Sequence, residues 1–297
     1  MNLDEIIDRI NITGRDRRIL IGFPLILLLL SVIVIATNGM TLGTDLEGGT
    51  QITITNLSVD ADALQQELQD RFNSAQLKVK PAPGLQSDLI FVEAPTSIPS
   101  GELESFFRDN YPEADLSFSV FDATVSSSFR EQATQALIFA FIGMSIIVFI
   151  VFRSPVPSLA VVLSAVSDII ITVAIMSALG ITLTLGTIAA LLMVIGYSVD
   201  SDILLTTRII KRRGELNEKV RRAMKTGVTM TLTTLAAMFV LWAVSQHPTL
   251  DSIAIVLIFA LVIDLINTWM LNTGILMWYI ENKEGKKLSR RKRRSSA

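Results

Sequence analysis

Four aspartates, Asp168, Asp200, Asp202 and Asp264, lie in stretches otherwise apolar enough to span a membrane. None of those stretches holds a lysine or arginine to neutralise them. A carboxylate in hydrocarbon is costly, so such a group is usually protonated, cation-bound or turned toward a wet interior. The chemistry these residues suit is uptake and release of a proton or cation. No Walker-type phosphate loop, cofactor motif or metal-ligand spacing is evident, so an enzyme is not expected.

Helical spacing says how these groups are presented. In the fourth apolar stretch Gly186, Ala190, Met193, Gly196 and Asp200 recur three or four apart and share a face. Small residues on such a face let helix backbones approach closely. Asp200 is therefore expected to point into the bundle and is the leading coupling candidate. Asp202, about 200° further round, is expected to face a partner or another cavity wall. Ser164, Asp168 and Thr172 share one face of the third stretch. Thr226, Thr229 and Thr233 mark the fifth, and Asp264, Asn267 and Thr268 the sixth. Asp168 and Asp264 are expected about 15–18 Å below the outer boundary and Asp200 about 22 Å. A polar seam follows, with Ser164, Ser201, Thr229, Thr233 and Asn267 supporting the carboxylates. The alternative use is interhelical hydrogen bonding alone, worth about 0.6 kcal/mol per contact.

The elements that carry these residues are long. Half of the 297 residues are hydrophobic and cysteine is absent. Six runs of about 20 apolar residues stand at 19–38, 134–152, 156–178, 185–206, 226–245 and 252–279. The first is too long for a signal peptide and lacks a small-residue cleavage site, so it reads as a retained span. Most of the 26 basic residues fall in 1–18, at Arg153, between Arg208 and Lys225, and in the tail 281–297. The short connections 180–184 and 246–251 have none. This asymmetry places both termini in the cytoplasm. The tail KKLSRRKRR is expected near anionic lipid. The loop RIIKRRGELNEKVRRAMK is expected to be an interfacial amphipathic helix, and His247 an ordinary outer-turn residue. No nucleic-acid partner is expected.

The segment 39–133 faces out and carries many more carboxylates than basic residues. Strands are expected at 51–55, 76–80, 89–93 and 115–121, with helices at 60–72 and 101–110 and a turn-rich PAPGLQSD between the middle strands. The order β-α-β-β-α-β is that of a ferredoxin-like domain. The expected fold is a polytopic α-helical membrane protein. It has six transmembrane helices and a ferredoxin-like α+β extracytoplasmic domain between helices one and two, the remaining five forming a bundle over 134–280.

Three stretches carry a resemblance. LGTDLEGGT (42–50), with Gly43, Asp45, Gly48 and Gly49, looks like a G-x-D-x-x-G-G signature. IGYSVDSDILLTTRI (195–209) is similar to a G-Y-S-hydrophobic-N-D motif running to Arg-Ile. TMTLTTL (229–235) resembles a Thr/Ser-rich fifth helix. With the overall layout, they resemble the SecD/SecF family of protein-export subunits, in its smaller, SecF-type and archaeal form. That family is part of the resistance-nodulation-division superfamily. The bacterial pattern's coupling aspartate aligns with Ser201, the SecD pattern's with Asp200, and an arginine of the bacterial pattern with Thr226. The resemblance implies a subunit that works with SecD beside a SecY-type channel. It would use the ion gradient to draw a translocating polypeptide outward. Protonation of Asp200 would alter bundle packing, relayed by the first helix and a Gly48–Gly49 hinge. A half-size transporter subunit for lipids or small molecules and a passive membrane scaffold are the competing readings.

Overall fold

The computed structural model describes residues 14–55, 59–74, 77–81, 90–212, 214–245 and 247–283. Most of PAPGLQSD and the KKLSRRKRR tail lie outside the described residues. Helix α1 (Arg17–Asn38) opens on Asp16, whose carboxylate accepts from the Arg18 backbone N–H at 3.1 Å. After a single turn, α2 (Thr44–Glu47), the outer domain begins. It runs β1 (Gly49–Thr55), α3 (Ala61–Phe72), β2 (Lys78–Pro81), β3 (Ile90–Ala94), α4 (Ser100–Asn110) and β4 (Asp115–Phe121). The four strands form one antiparallel sheet in the order β2-β3-β1-β4. Each β-α-β connection therefore skips one strand, as two helices packed on a shared sheet require. Alternation decides which side is covered. Ile52, Ile54 and Val92 join Leu64, Leu68, Leu103 and Phe107 from the helices in one core.

Helix α5 (Ala123–Phe152) starts as soon as β4 ends, well before the apolar run at 134. The cause is local. Asp122 accepts from the Thr124 backbone N–H at 2.7 Å and caps the helix there. These hydrogen bonds hold the Asp122 carboxyl below its ordinary range. Then come α6 (Pro155–Leu179), α7 (Leu185–Lys211), α8 (Leu216–Val244) and α9 (Pro248–Ile266). The last passes into a π-helical turn, Asn267–Asn272, and continues as α-helix to residue 283. Among the described residues, six helices are long and apolar enough to cross a membrane.

The expected interfacial helix is not a separate element. Residues 208–211 finish α7 and 216–225 begin α8, with a short break at Gly214, whose φ is +127°. Val220, Ala223 and Met224 pack that first part of α8 against Leu205, Ile209 and Trp269, while Arg221, Arg222 and Lys225 on its other side are exposed. Trp269 fits because residue 227 is glycine. A Cβ there would lie 2.6 Å from its Cζ2.

Burial is uneven. In the most apolar windows of α6 and α7, 56% of residues are buried, against 11% in α5 and α8. The aspartate-bearing helices α6, α7 and α9 thus make the core, while α1, α5 and α8 touch it along narrow stripes and show apolar faces outward. At the end of the bundle nearest the termini, Arg17 and Glu281 form an ion pair joining α1 to the last helix.

Candidate functional site

The buried face of α7 follows its small-residue stripe only in the outer half of the helix: Ala190 is buried and Gly186 packs against Thr249 and Ile253, but the stripe then turns outward. Thr187, Leu191, Val194, Ser198, Ser201, Asp202, Leu205 and Ile209 are inside. Met193, Gly196 and Asp200 are exposed on the opposite side. The expectation for Asp200 and Asp202 is therefore reversed. Asp202 has no accessible surface, while Asp200 points away from the bundle. The face that carries Asp202 also carries Leu191, Val194, Leu205 and Ile209, all buried, whereas the opposite face thins to Gly196.

Asp168 on α6, Asp202 on α7 and Asp264 on α9 converge, each almost wholly buried. Ser198 Oγ donates to Asp168 Oδ2 at 2.5 Å, and Asn267 Nδ2 to Asp168 Oδ1 at 2.7 Å. Asp202 Oδ1 accepts from Thr268 Oγ1 at 2.9 Å and from Asn272 Nδ2 at 2.7 Å. Ser201 Oγ lies 3.2 Å from both Asp264 oxygens and 3.3 Å from Thr268 Oγ1, which itself lies 3.2 Å from Asp264 Oδ1. Asp202 Oδ2, Ser164 Oγ, Asn267 Oδ1 and Asn272 Oδ1 are buried without a hydrogen-bond partner among the described residues.

The π-helical turn makes this possible. In a regular α-helix, Asn267 and Asn272 would stand about 140° apart. The wider turn lets one serve Asp168 and the other Asp202. The Thr273 backbone N–H donates to the Thr268 carbonyl five residues back, and Thr273 Oγ1 donates to the same carbonyl at 2.9 Å. Such single wide turns recur at functional positions.

Ser164, Ser201 and Asn267 lie in or against this cluster, as the helical spacing predicts. Thr229 and Thr233 do not. Both are exposed, and their hydroxyls donate to the carbonyls of Lys225 and Met230 on their own helix. The buried threonine of α8 is Thr231, which also bonds within the helix, to Gly227. Thr226 accepts from Arg208 at 3.0 Å, where α7 ends and α8 begins. Ser198 and Asn272 also belong to the cluster, beyond the residues that helical spacing alone picks out. The signal for them is the large-residue face of α7 and the five-residue spacing across the last helix.

The residues Gly43, Asp45, Gly48 and Gly49 form a second construction, at the end of the bundle where the α+β domain attaches. Thr41 accepts from the Leu183 N–H, Gly43 donates to the Leu183 carbonyl, and both distances are 2.8 Å. Ser177 Oγ adds a bond to the Gly39 carbonyl at 2.5 Å. Asp45 Oδ2 accepts from the backbone N–H of Leu185, the first residue of α7, at 2.6 Å. Burial pushes the Asp45 carboxyl up, opposed by the Leu185 N–H. Each glycine makes room for a specific neighbour. A Cβ at Gly43 would lie 2.8 Å from Asp45 Oδ1, at Gly48 2.8 Å from Ala123 Cα, and at Gly49 2.3 Å from the Ala94 carbonyl oxygen. Gly48 and Gly49 also have φ of +88° and +141°, which side chains rarely adopt. His247 stands nearby, its ring 6.3 Å from that of Phe91 on β3 and its Nδ1 accepting from the Thr249 N–H at the start of α9.

The family described as "Protein export membrane protein SecD/SecF, C-terminal" matches residues 103–282, and the "SecD/SecF GG Motif" matches 33–55. The chain belongs to the SecD/SecF family. "Protein-export membrane protein SecF" of Methanocaldococcus jannaschii is 44% identical over 283 residues, covering 92% of this chain and 99% of that one. Its namesake in Thermococcus gammatolerans is 42% identical over 272 residues, covering 89% and 86%. The fold is like that of SecDF, "a translocon-associated membrane protein", from Thermus thermophilus. The TM-score is 0.73 at 20% identity, over 89% of this chain but only 38% of that longer one. The SecD/SecF GG motif is therefore the clip between α1, α7 and the outer domain. The acid cluster lies within the residues matched by the family's C-terminal part.

Proposed function

We propose that this SecD/SecF-family chain assists protein export with a SecD-type partner beside a SecY-type channel. The Asp168–Asp202–Asp264 cluster couples export to the transmembrane proton gradient. One observation carries the reading: three buried carboxylates with no intramembrane lysine or arginine on the described helices. Magnitudes argue against mere glue. Three aspartates at membrane depth cost about 9 kcal/mol in all. Hydrogen bonds between membrane helices return about 0.6 kcal/mol each, so the bonds these carboxylates accept recover less than half of that. Each proton taken up by one of the three removes about a third of that cost. The Asn267 and Asn272 amide oxygens, which lack donors, are suited to accept a hydrogen bond from a protonated carboxyl.

Proton entry and release would alter which of Ser198, Ser201 and Thr268 donate, and so the packing of α6 and α7 on the last helix. Each charge crossing 100 mV releases about 2.3 kcal/mol, a useful stroke without nucleotide hydrolysis. In this reading both termini are cytoplasmic, and the apolar faces of α1, α5 and α8 meet lipid or the partner chain. The test is export of a secreted protein into energised vesicles by the assembled complex, with Asp202→Asn. Export reduced at least tenfold under a proton gradient supports the reading, and unchanged export by a fully assembled complex sinks it.

A further inference from the structure

The first N–H groups of any helix lack intrahelical partners. At the start of α7, Thr184 and Thr187 form a reciprocal capping box, Thr187 N–H to Thr184 Oγ1 at 3.1 Å and Thr184 N–H to Thr187 Oγ1 at 2.8 Å. That device leaves the Leu185 N–H, and its acceptor comes from 140 residues earlier in the chain: Asp45. A negative group there also suits the positive end of the helix.

On its other side Asp45 belongs to the outer domain's root. Its neighbour Leu46 is fully buried, Gly48 rests against the first residue of α5, and Gly49 opens β1 against Ala94. Gly43 lacks the side chain that would fill the carboxylate's place. A local cap would need none of this. Some 17 residues further along α7, about 25 Å away at helical rise, lies Asp202.

We infer that Asp45 is a positioning residue whose carboxylate pins the outer domain to the outer end of α7, so that the domain follows the helix bearing Ser198, Ser201 and Asp202. The inference deepens the export reading above by naming the joint that carries motion outward. The glycine pair then acts as a close-fitting seat rather than as a loose hinge, since both glycines are packed tightly against backbone.

The chain has no cysteine, so two can be introduced cleanly. Ser105→Cys on α4 and Ala189→Cys on α7 are both at exposed positions. Spin labels there, on the full chain in lipid nanodiscs, give a distance distribution by pulsed electron resonance. A narrow distribution is expected with Asp45 present and at least a doubled width in Asp45→Ala. Narrowing should return in Asp45→Asn, whose amide oxygen still accepts. Leu185→Pro provides a second route. It deletes the donor at a helix position that tolerates proline, after a residue already extended at φ −122°. It should broaden the distribution while Asp45 stays. Export per assembled complex should fall at least fivefold in Asp45→Ala and recover to within twofold in Asp45→Asn.

Unchanged width in both Asp45→Ala and Leu185→Pro overturns the inference. So does an Asn variant that behaves like Ala, or a doubled width with export untouched. If Asp202→Asn exports normally while Asp45→Ala broadens the distribution and slows export, the acid-cluster reading fails and the pin stands.

Discussion

Asp200 and Asp202 are two residues apart on one helix, yet one faces outward and the other has no accessible surface. About 200° of helical rotation separates them, and the packed side of α7 passes through Asp202 alone. Replacing each by Asn removes the same charge from opposite environments. Asp200→Asn should leave gradient-driven export within about twofold of normal, while Asp202→Asn should cost at least tenfold. Vesicle export normalised to assembled complex compares them. Equal losses would show that outward-facing Asp200 has a role at a partner surface.

Asn272 and Thr268 both donate to a single oxygen, Asp202 Oδ1. Asn272→Leu leaves that carboxylate with one donor and should lower the midpoint of thermal unfolding. The expected loss is about 1–2 kcal/mol, the usual cost of orphaning a buried polar group. Scanning calorimetry in detergent measures it. Asn272→Asp, by contrast, should be tolerated only at acidic pH, where the new group can be protonated.

The Asp45 carboxyl is raised above its ordinary value of 3.8, chiefly by burial. A raised carboxyl favours the folded state when protonated. Its stabilising contribution is therefore complete below the ordinary value and lost as pH rises through the folded one. Relative to Asp45→Asn, which cannot titrate, the natural chain should gain thermal stability as pH falls from 7 toward 4. A relative loss on acidification would mean that the Leu185 bond outweighs the burial.

Gly48→Ala and Gly49→Ala should both be severe. Each adds a methyl within 3 Å of backbone atoms that cannot swing aside, at a φ that resists side chains. Gly22→Ala, with open space around it on α1, should be silent. Yield of correctly folded protein by size-exclusion chromatography separates the two classes.

Much of this architecture is legible in the chain. Period-two alternation around Gln51–Thr55 and the 3.6-residue pattern of Leu64 and Leu68 give the outer domain, and apolar length gives the spans. Misjudgements arise where packing overrides local pattern. The small-residue stripe ending at Asp200 packs inward at Gly186 and Ala190 but leaves the bundle at Met193, Gly196 and Asp200, where the face carrying Ser198, Ser201 and Asp202 is the packed one. Thr229 and Thr233 look like seam residues until their hydroxyls are seen bonded to their own helix. The wide turn at Asn267–Asn272 has no propensity signature, because it exists to satisfy carboxylates on two other helices. Asp45 matches a family signature, yet its partner is a backbone N–H, and no side-chain pattern can reveal one.

Trp269 sits in that wide turn between Asn267 and Met270, wedged over Gly227 and only 4% exposed. The other two tryptophans, Trp242 and Trp278, are 36% and 48% exposed. The molecule thus carries its own optical gauge. Trp242→Phe with Trp278→Phe leaves one buried indole beside the acid cluster, and its emission will register any repacking there without an added dye.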